Sequence, residues 1–170
     1  NFCGFAVPGT VEWPKKHEDP LRGRPCGGHH STFSLAHKYE TDVVRITFPY
    51  PWDGASPRST SLSVLHAVIQ GAATSLQIAA SNIDGAVTSY HTGAPTIDIV
   101  DTVPGGAGYA RLIGSSLASV LNGSLKVVSS CECGQETSCY MCLRNYSNQR
   151  VHDELQRGAA EVYLSRLFDC

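Results

Sequence analysis

The sequence lacks several features that would place it in a familiar class of protein. It has no strong excess of charge: its formal net charge is −2 at pH 7, which argues against a protein that coats nucleic acid through overall positive charge, although a local basic patch stays open. It has no apolar run of about 18 residues, the minimum for a membrane-spanning helix, so we expect no membrane association. It also has no GxxxxGK[ST] motif, so this chain cannot hydrolyse ATP through a P-loop.

The chain begins without a Met and without the charged and apolar stretches of a secretory signal peptide. Its abrupt ends at Asn1 and Cys170 predict a piece of a longer protein. Its seven cysteines are an odd number, and four of them are tightly clustered, which fits a disulfide framework poorly. We therefore expect a reducing, cytoplasmic setting.

The hydrophobic pattern predicts an α/β or α+β fold. Alternating β-branched residues predict strands at 41–48, 83–90 and 96–101, and a strand or an extended stretch at 125–130. Helical periodicity predicts three helices: residues 59–80 with a cap at Ser59 or Thr60, residues 109–122 ending at Asn122-Gly123, and residues 152–168 with a capping box from Asp153 to Gln156.

Strands and helices alternate along this part of the chain, which favours a mixed, partly parallel sheet with packed helices. A C-terminal four-cysteine zinc loop followed by a helix should complete the fold. We predict two parts: a loop-rich N-terminal segment at 1–40, dense in Pro, Gly and His, and the main domain at 41–170.

The stretch CECGQETSCYMC places four cysteines within twelve residues: Cys131, Cys133, Cys139 and Cys142. Thiolates are preferred ligands of structural zinc, and the short polar linker with Gly134 lets the two pairs converge on one ion. The sequence therefore predicts a closed, structural Zn²⁺ site. A redox pair at Cys139 and Cys142, an iron–sulfur cluster and unliganded thiols stay open as alternatives.

A second, weaker metal pattern lies near the start of the chain. Cys3, Cys26 and His29 resemble two halves of a zinc knuckle, and a second metal site in the parent protein would need a further cysteine before Asn1. The alternative is a free Cys3 and a loop histidine.

The stretch IVDTVPGGAGYARLI predicts a strand, a glycine turn and a helix, with Asp101, Gly105, Gly106 and Gly108 in the turn. Such a turn at a helix N-terminus can hold a phosphate, but the P-loop Lys and the dinucleotide spacing are absent. The alternative is a tight strand-to-helix connection in which Asp101 accepts hydrogen bonds from the turn amides.

Together these motifs resemble the MZB family, the zinc-binding domain named after the MrfA helicase. The resemblance rests on Asp101, residues 104–108, the four cysteines, and then Asn148, His152, Leu155 and Arg157, and it covers about residues 40–167. It implies a zinc-stabilised accessory domain, not an enzyme, from a helicase-related protein of DNA repair or of anti-phage defence, where the family occurs in the DISARM component DrmB. The partners it implies are a helicase core, in the same chain or in a separate subunit, and DNA.

If the domain contacts DNA, basic side chains should bind phosphates and aromatic side chains should stack on unpaired bases. The candidates are Lys126, Arg144, Arg150, Tyr140 and Tyr146, with Arg157 and Arg166 further along. The alternatives are an ordinary solvated surface and, for Arg157, a buried pair with Asp101 or Glu154. Two rival functions stay open: a scaffold that docks on a helicase without touching DNA, and a phosphate-ester enzyme centred on Asp101.

Overall fold

The computed structural model describes residues 18–19, 23–25, 38–54, 56–89 and 94–169. The chain divides into two units, residues 1–38 and 39–170. The described part of the first unit contains one antiparallel bridge, between Glu18 and Pro25. All helices and strands of the described chain belong to the second unit.

The sheet of this unit has three strands, β1 (Val43–Thr47), β2 (Ile83–Ser89) and β3 (Thr96–Asp101), in the order β1-β3-β2. Both strand pairs are antiparallel, so the expectation of a partly parallel sheet was wrong. Only residues 90–95 separate β2 from β3, too few for the crossover that parallel strands need. The mixed helix-and-sheet class itself is confirmed.

Helix α1 (Pro57–Leu76) is the central element of the core. Its cap is Ser56, three residues before the predicted Ser59: the Ser56 hydroxyl accepts from the N–H of Ser59, and Pro57 occupies the first helical position, where its missing N–H costs nothing. Gln77 ends it in the left-handed conformation. Its sides are buried nearly all round because it packs against β2, against α3 (Leu117–Ser129) and against α4 (Arg157–Ser165).

Two short helices, α2 (Tyr109–Ser115) and α3, replace the single predicted helix, and α3 runs through Gly123 to Ser129. The predicted helix end at Asn122-Gly123 and the extended stretch at 125–130 were therefore wrong. Gly123 serves close packing instead: a Cβ there would lie 2.1 Å from the Ser75 hydroxyl of α1. On the facing helix, a Cβ at Gly71 would lie 2.2 Å from the hydroxyl of Ser124.

After the cysteines the chain forms a 3-10 turn, Gln149–Glu154, and then α4. The predicted capping box was wrong: Asp153 lies within the 3-10 turn, and the Gln156 cap makes no side-chain hydrogen bond. The Gln156 N–H donates instead to the Ser63 hydroxyl of α1 at 2.9 Å. Tertiary packing therefore positions the start of α4 more than local capping does.

The core is one continuous cluster of aliphatic and aromatic residues. Aliphatic residues of α1, α3 and the sheet form the larger part, and an aromatic cluster of Phe48, Trp52 and Tyr163 fastens α4 to the chain after β1. Within the described residues, no single helix is long and apolar enough to cross a membrane. Helices α2 and α3 meet that test of length and composition only as a pair, bent by 92°.

Candidate metal centre

The four clustered cysteines converge at the start of the segment that joins α3 to α4, here called the cysteine loop (residues 130–156). Their Sγ atoms all lie within 4.8 Å of one another. The Sγ of Cys131 is 3.5 Å from those of Cys133 and Cys139, and the Sγ of Cys142 is 3.7 Å from that of Cys133 and 3.8 Å from that of Cys139.

These separations fit one tetrahedral zinc ion. Zn–S bonds of about 2.3 Å at tetrahedral angles place ligand sulfurs about 3.8 Å apart, while a disulfide would need about 2.05 Å. The four thiols are free, Cys142 is fully buried and the other three are half-buried. The cage therefore offers four sulfur donors and leaves no ligand position for water, as in a structural site.

Backbone N–H groups point at two of the sulfurs. The Cys139 N–H donates to the Sγ of Cys142 at 3.3 Å, and the Met141 N–H donates to the Sγ of Cys139 at 3.4 Å. Burial raises the pKa of Cys142 to about 12, and burial also raises that of Cys133. At Cys139 burial acts to raise the pKa of the thiol. Hydrogen bonds from the Met141 N–H and from the neighbouring thiols act in the opposite direction and prevail, so the pKa of Cys139 is lowered. A bound cation is what makes four neighbouring thiolates stable here, because metal ligands must lose their protons.

Arg157 connects the cysteine loop to helices α3 and α4. Its side chain is 7% exposed, and its guanidinium donates to the carbonyl of Cys133 (3.0 Å), to the carbonyl of Val128 (2.7 Å) and to the carboxylate of Glu161 (2.8 Å). One side chain thus joins the cage, the end of α3 and the body of α4. The alternative of a buried pair with Asp101 or Glu154 was wrong, because the acid is Glu161, one turn along α4.

The rest of the loop is organised around the buried amide of Asn148. Its Nδ2 donates to the carbonyl of Leu143, and its Oδ1 accepts from the N–H of Asn145 and contacts the Nε2 of His152 at 2.8 Å. Arg144 belongs to the same framework: its guanidinium donates to the Ser138 hydroxyl and to the carbonyl of His152. Polar contacts rather than apolar area therefore hold this part of the loop.

The exposed side of the loop carries large side chains. Tyr140, Met141 and Tyr146 are 63%, 84% and 86% exposed, and the Tyr140 ring packs edge-on against His152. Arg150 is exposed on the same loop, and Lys126 is exposed on α3. Arg166, by contrast, pairs with Asp53 and lies over the ring of Tyr50. The sequence reasoning missed Met141, whose position between two ligand cysteines was the available signal.

The backbone N–H groups of the glycine turn and of the start of α2 donate to a side chain of this chain. Asp101 is fully buried, and its carboxylate accepts the N–H groups of Ala107, Tyr109 and Ala110 at 2.6, 3.1 and 2.7 Å. Gly105, Gly106 and Gly108 all have positive φ, which glycine adopts without strain. Asp101 thus takes the donors at the start of α2 that a phosphate would need.

The second predicted metal site cannot be placed in the same way, because Cys3, Cys26 and His29 lie outside the described residues. The cysteine loop is the metal centre that the described part of the chain contains.

Comparison with known proteins matches this architecture. The model of the family described as MZB, MrfA Zn-binding domain, matches residues 64–143, just under half of the chain and all four cysteines of the loop. The predicted resemblance and the predicted zinc cofactor are thereby confirmed, since this zinc-binding family and the four convergent sulfurs agree. Asn148, His152, Leu155 and Arg157 lie beyond the matched residues.

Two individual proteins are similar to parts of this chain. The chain is 39% identical over 59 residues, 35% of its length, to the Druantia protein DruE of Escherichia coli (strain UMEA 4076-1), and this covers 3% of DruE. It superposes with a TM-score of 0.55 and 16% identity on the crystal structure of the DUF1998 helicase MrfA bound to DNA, over 87% of this chain and 19% of MrfA. That structural likeness shows a shared fold, and the chain spans only a small part of either protein.

Proposed function

We propose that this chain is a zinc-stapled accessory domain of a helicase-related protein of DNA repair or phage defence, and that it contacts single-stranded or forked DNA. In this proposal Cys131, Cys133, Cys139 and Cys142 ligate Zn²⁺. The ion stabilises the loop, and the surface of the loop carries out the binding.

The observation that carries this proposal is the exposure of two tyrosines on a loop that the cage makes rigid. Tyr140 and Tyr146 are mostly exposed, and aromatic rings held at fixed positions can stack on unpaired bases. Arg150 on the same loop and Lys126 on α3 are exposed cations that suit phosphates. Arg144 is bonded within the loop, so we assign it first to positioning that loop.

The test is fluorescence anisotropy with a labelled twelve-nucleotide oligo-dT at several salt concentrations. The proposal expects binding that weakens as salt rises, because neutralising phosphates releases counterions. Tyr146→Ala should weaken binding about fivefold or more through lost stacking, with zinc content unchanged. Phe168→Ala, also an exposed aromatic position but on the chain after α4, is the matched control and should bind as the native chain does. Equal binding by both variants would contradict the proposal.

A second candidate is a scaffold that docks on a helicase partner without touching DNA. Met141 favours it, because an apolar side chain 84% exposed between two cage cysteines is typical of a contact with protein. Absence of salt-dependent DNA binding, together with capture of a purified helicase core that Met141→Ser abolishes, would support this candidate over the first.

A further inference from the structure

A groove of about 270 Å³ lies beside the cysteine loop, and neither the zinc cage nor the exposed tyrosines use it. Its walls are α1 at Leu62 and His66, β2 at Gly85–Val87, and the loop at residues 147–151. Its floor is largely apolar, whereas its polar groups come from all three walls. The volume suits one small planar group rather than a drug-sized ligand.

One wall contains a buried histidine of α1. His66 is 7% exposed, and its Nδ1 is buried with no hydrogen-bond partner among the described residues. Leaving a buried polar nitrogen unpaired is unfavourable, and such groups in native proteins call for an explanation. Burial lowers the pKa of this imidazole to about 4, so near neutral pH it presents an uncharged ring that can both donate and accept.

The second wall is the outer edge of the sheet. Within the described part of the chain, β2 pairs with β3 alone, and the Gly85 N–H donates to the neighbouring Asp84 carboxylate at 2.8 Å. The pairing register also shifts between Val87 and Ser89. The bonded Gly85 N–H and the irregular end of β2 both oppose the addition of another strand at this edge. The edge of β2 therefore suits hydrogen bonds to a small planar group better than pairing with a peptide.

The third wall carries the charge. Arg150 lines the groove and is exposed. Tyr146 is exposed immediately before this segment. The Arg150 cation at the rim suits a phosphate of a nucleic-acid strand. The Tyr146 ring nearby suits stacking with one base, and the groove between them suits the neighbouring base of the same strand.

We propose that this groove holds a single unstacked base of a nucleic-acid strand, with His66 and the outer edge of β2 forming hydrogen bonds to the base and Arg150 contacting its phosphate. This inference rests on the proposed function, since it needs the domain to contact single-stranded nucleic acid. It adds a base-binding site that neither the cysteine motif nor the family resemblance assigns.

The test fills the groove without touching the cage. In β2 the side chains of residues 85 and 87 face α1, because a Cβ at Gly85 would lie 2.7 Å from Leu65 and successive side chains of a strand alternate between faces. Val87→Trp therefore places an indole on the groove side of β2, and Thr88→Trp places the same ring on the opposite, exposed face of that strand. We expect Val87→Trp to weaken oligo-dT binding about tenfold, the effect of one lost base contact, with an unchanged dependence on salt. Thr88→Trp should bind within about twofold of the native chain, and Arg150→Gln should lower the salt slope by about 0.7, one phosphate contact.

The outcomes separate this inference from the proposed function. If Val87→Trp binds as tightly as Thr88→Trp while Tyr146→Ala is impaired, the domain contacts DNA but the groove proposal is overturned. If the native chain binds no oligonucleotide, the ring nitrogens of His66 are observed by NMR while dTMP is added to millimolar concentration. Shifts of His66 and of the Val87 methyl groups would support the groove as a nucleotide site, and their absence would overturn it. Shifts with an extended peptide but not with dTMP would overturn it in favour of peptide docking.

Discussion

The sheet–helix body (residues 43–129) and the cysteine loop are stabilised by different physical means, although they are neighbours in one unit. The body buries many large aliphatic side chains completely, among them Val64, Val68, Ile97, Ile99, Ile113 and Val120. The cysteine loop fully buries few apolar side chains, chiefly Cys142, Leu143 and Leu155. Apolar burial at about 25 cal/mol per Å² can stabilise the body, whereas the loop depends on its metal and on polar contacts.

This difference separates two tasks. The sheet–helix body forms a core by packing and so holds the cysteine loop in place. Because the loop does not need a hydrophobic core of its own, it can expose two tyrosines and a methionine that such a core would bury. Arg157 connects the two, because it bonds the end of α3 and the Cys133 carbonyl at once. Each prediction below removes one of these supports.

Loss of the metal should have the largest effect, and it should be confined to the loop. Cys142→Ser removes the most buried ligand, and structural zinc in small domains contributes on the order of 10 kcal/mol of binding free energy. Native mass spectrometry should show one zinc fewer per chain, and NMR should show loss of dispersed loop signals while signals of Ile97 and Ile99 remain. Glu132→Gln, an exposed change between two ligands, is the control. Retention of the zinc by Cys142→Ser would refute the four-thiolate cage.

Crowding the crossing of α1 and α3 should destabilise the body instead. Gly71→Ala would place a Cβ 2.2 Å from the Ser124 hydroxyl and 2.5 Å from its backbone nitrogen, and such overpacking costs about 3 kcal/mol. Urea unfolding should therefore shift to lower denaturant. Gly114→Ala in α2 meets only Val44 at 3.4 Å and should change stability little. Equal effects of the two substitutions would mean that the close helix contact is not required.

Removing the connection between body and loop should cost about as much stability as crowding the helix crossing. Arg157→Met leaves the carboxylate of Glu161 and two carbonyls without their buried donor, a loss of about 3 kcal/mol. Zinc should still bind, but amide exchange should rise in residues 131–137. Arg45→Met, which removes the solvent-exposed pair with Asp98, should alter unfolding very little. If both arginine variants behave alike, Arg157 does not connect the two regions.

The smallest expected effect is a dependence of body stability on the ionisation of His66. Its folded pKa is lowered to about 4 by burial, an effect that Asp84 opposes and His152 reinforces, whereas the unfolded value is about 6.5. Its contribution is therefore fully present above about pH 6.5 and is lost as the pH falls toward 4, by about 1 kcal/mol between about pH 7.5 and 5.5. Urea unfolding of the native chain and of His66→Leu at both pH values measures this difference, and effects of pH on the zinc site cancel between them. A loss of the same size in the variant would show that His66 is not responsible.

Most of the elements could be predicted from local pattern. The three strands were found almost at their observed bounds because β-branched alternation is a short-range signal. The errors came where distant residues decide: Gly123 was taken as a helix end, yet the facing Ser75 and Gly71 explain it as a contact point. The cap of α4 was likewise sought in Asp153 and Gln156, although Ser63, far away in sequence, supplies it.

The sequence by itself determined the candidate metal ligands and the resemblance to the MZB family, because four thiols within twelve residues can converge whatever surrounds them. Only the tertiary structure decided the antiparallel order of the sheet, the burial of Arg157 against Glu161 rather than Asp101, and the groove beside His66. These features join residues that are distant along the chain, or depend on which side chain is buried. No spacing in the sequence encodes them, since burial and close approach arise only when α1, the sheet and the loop pack together.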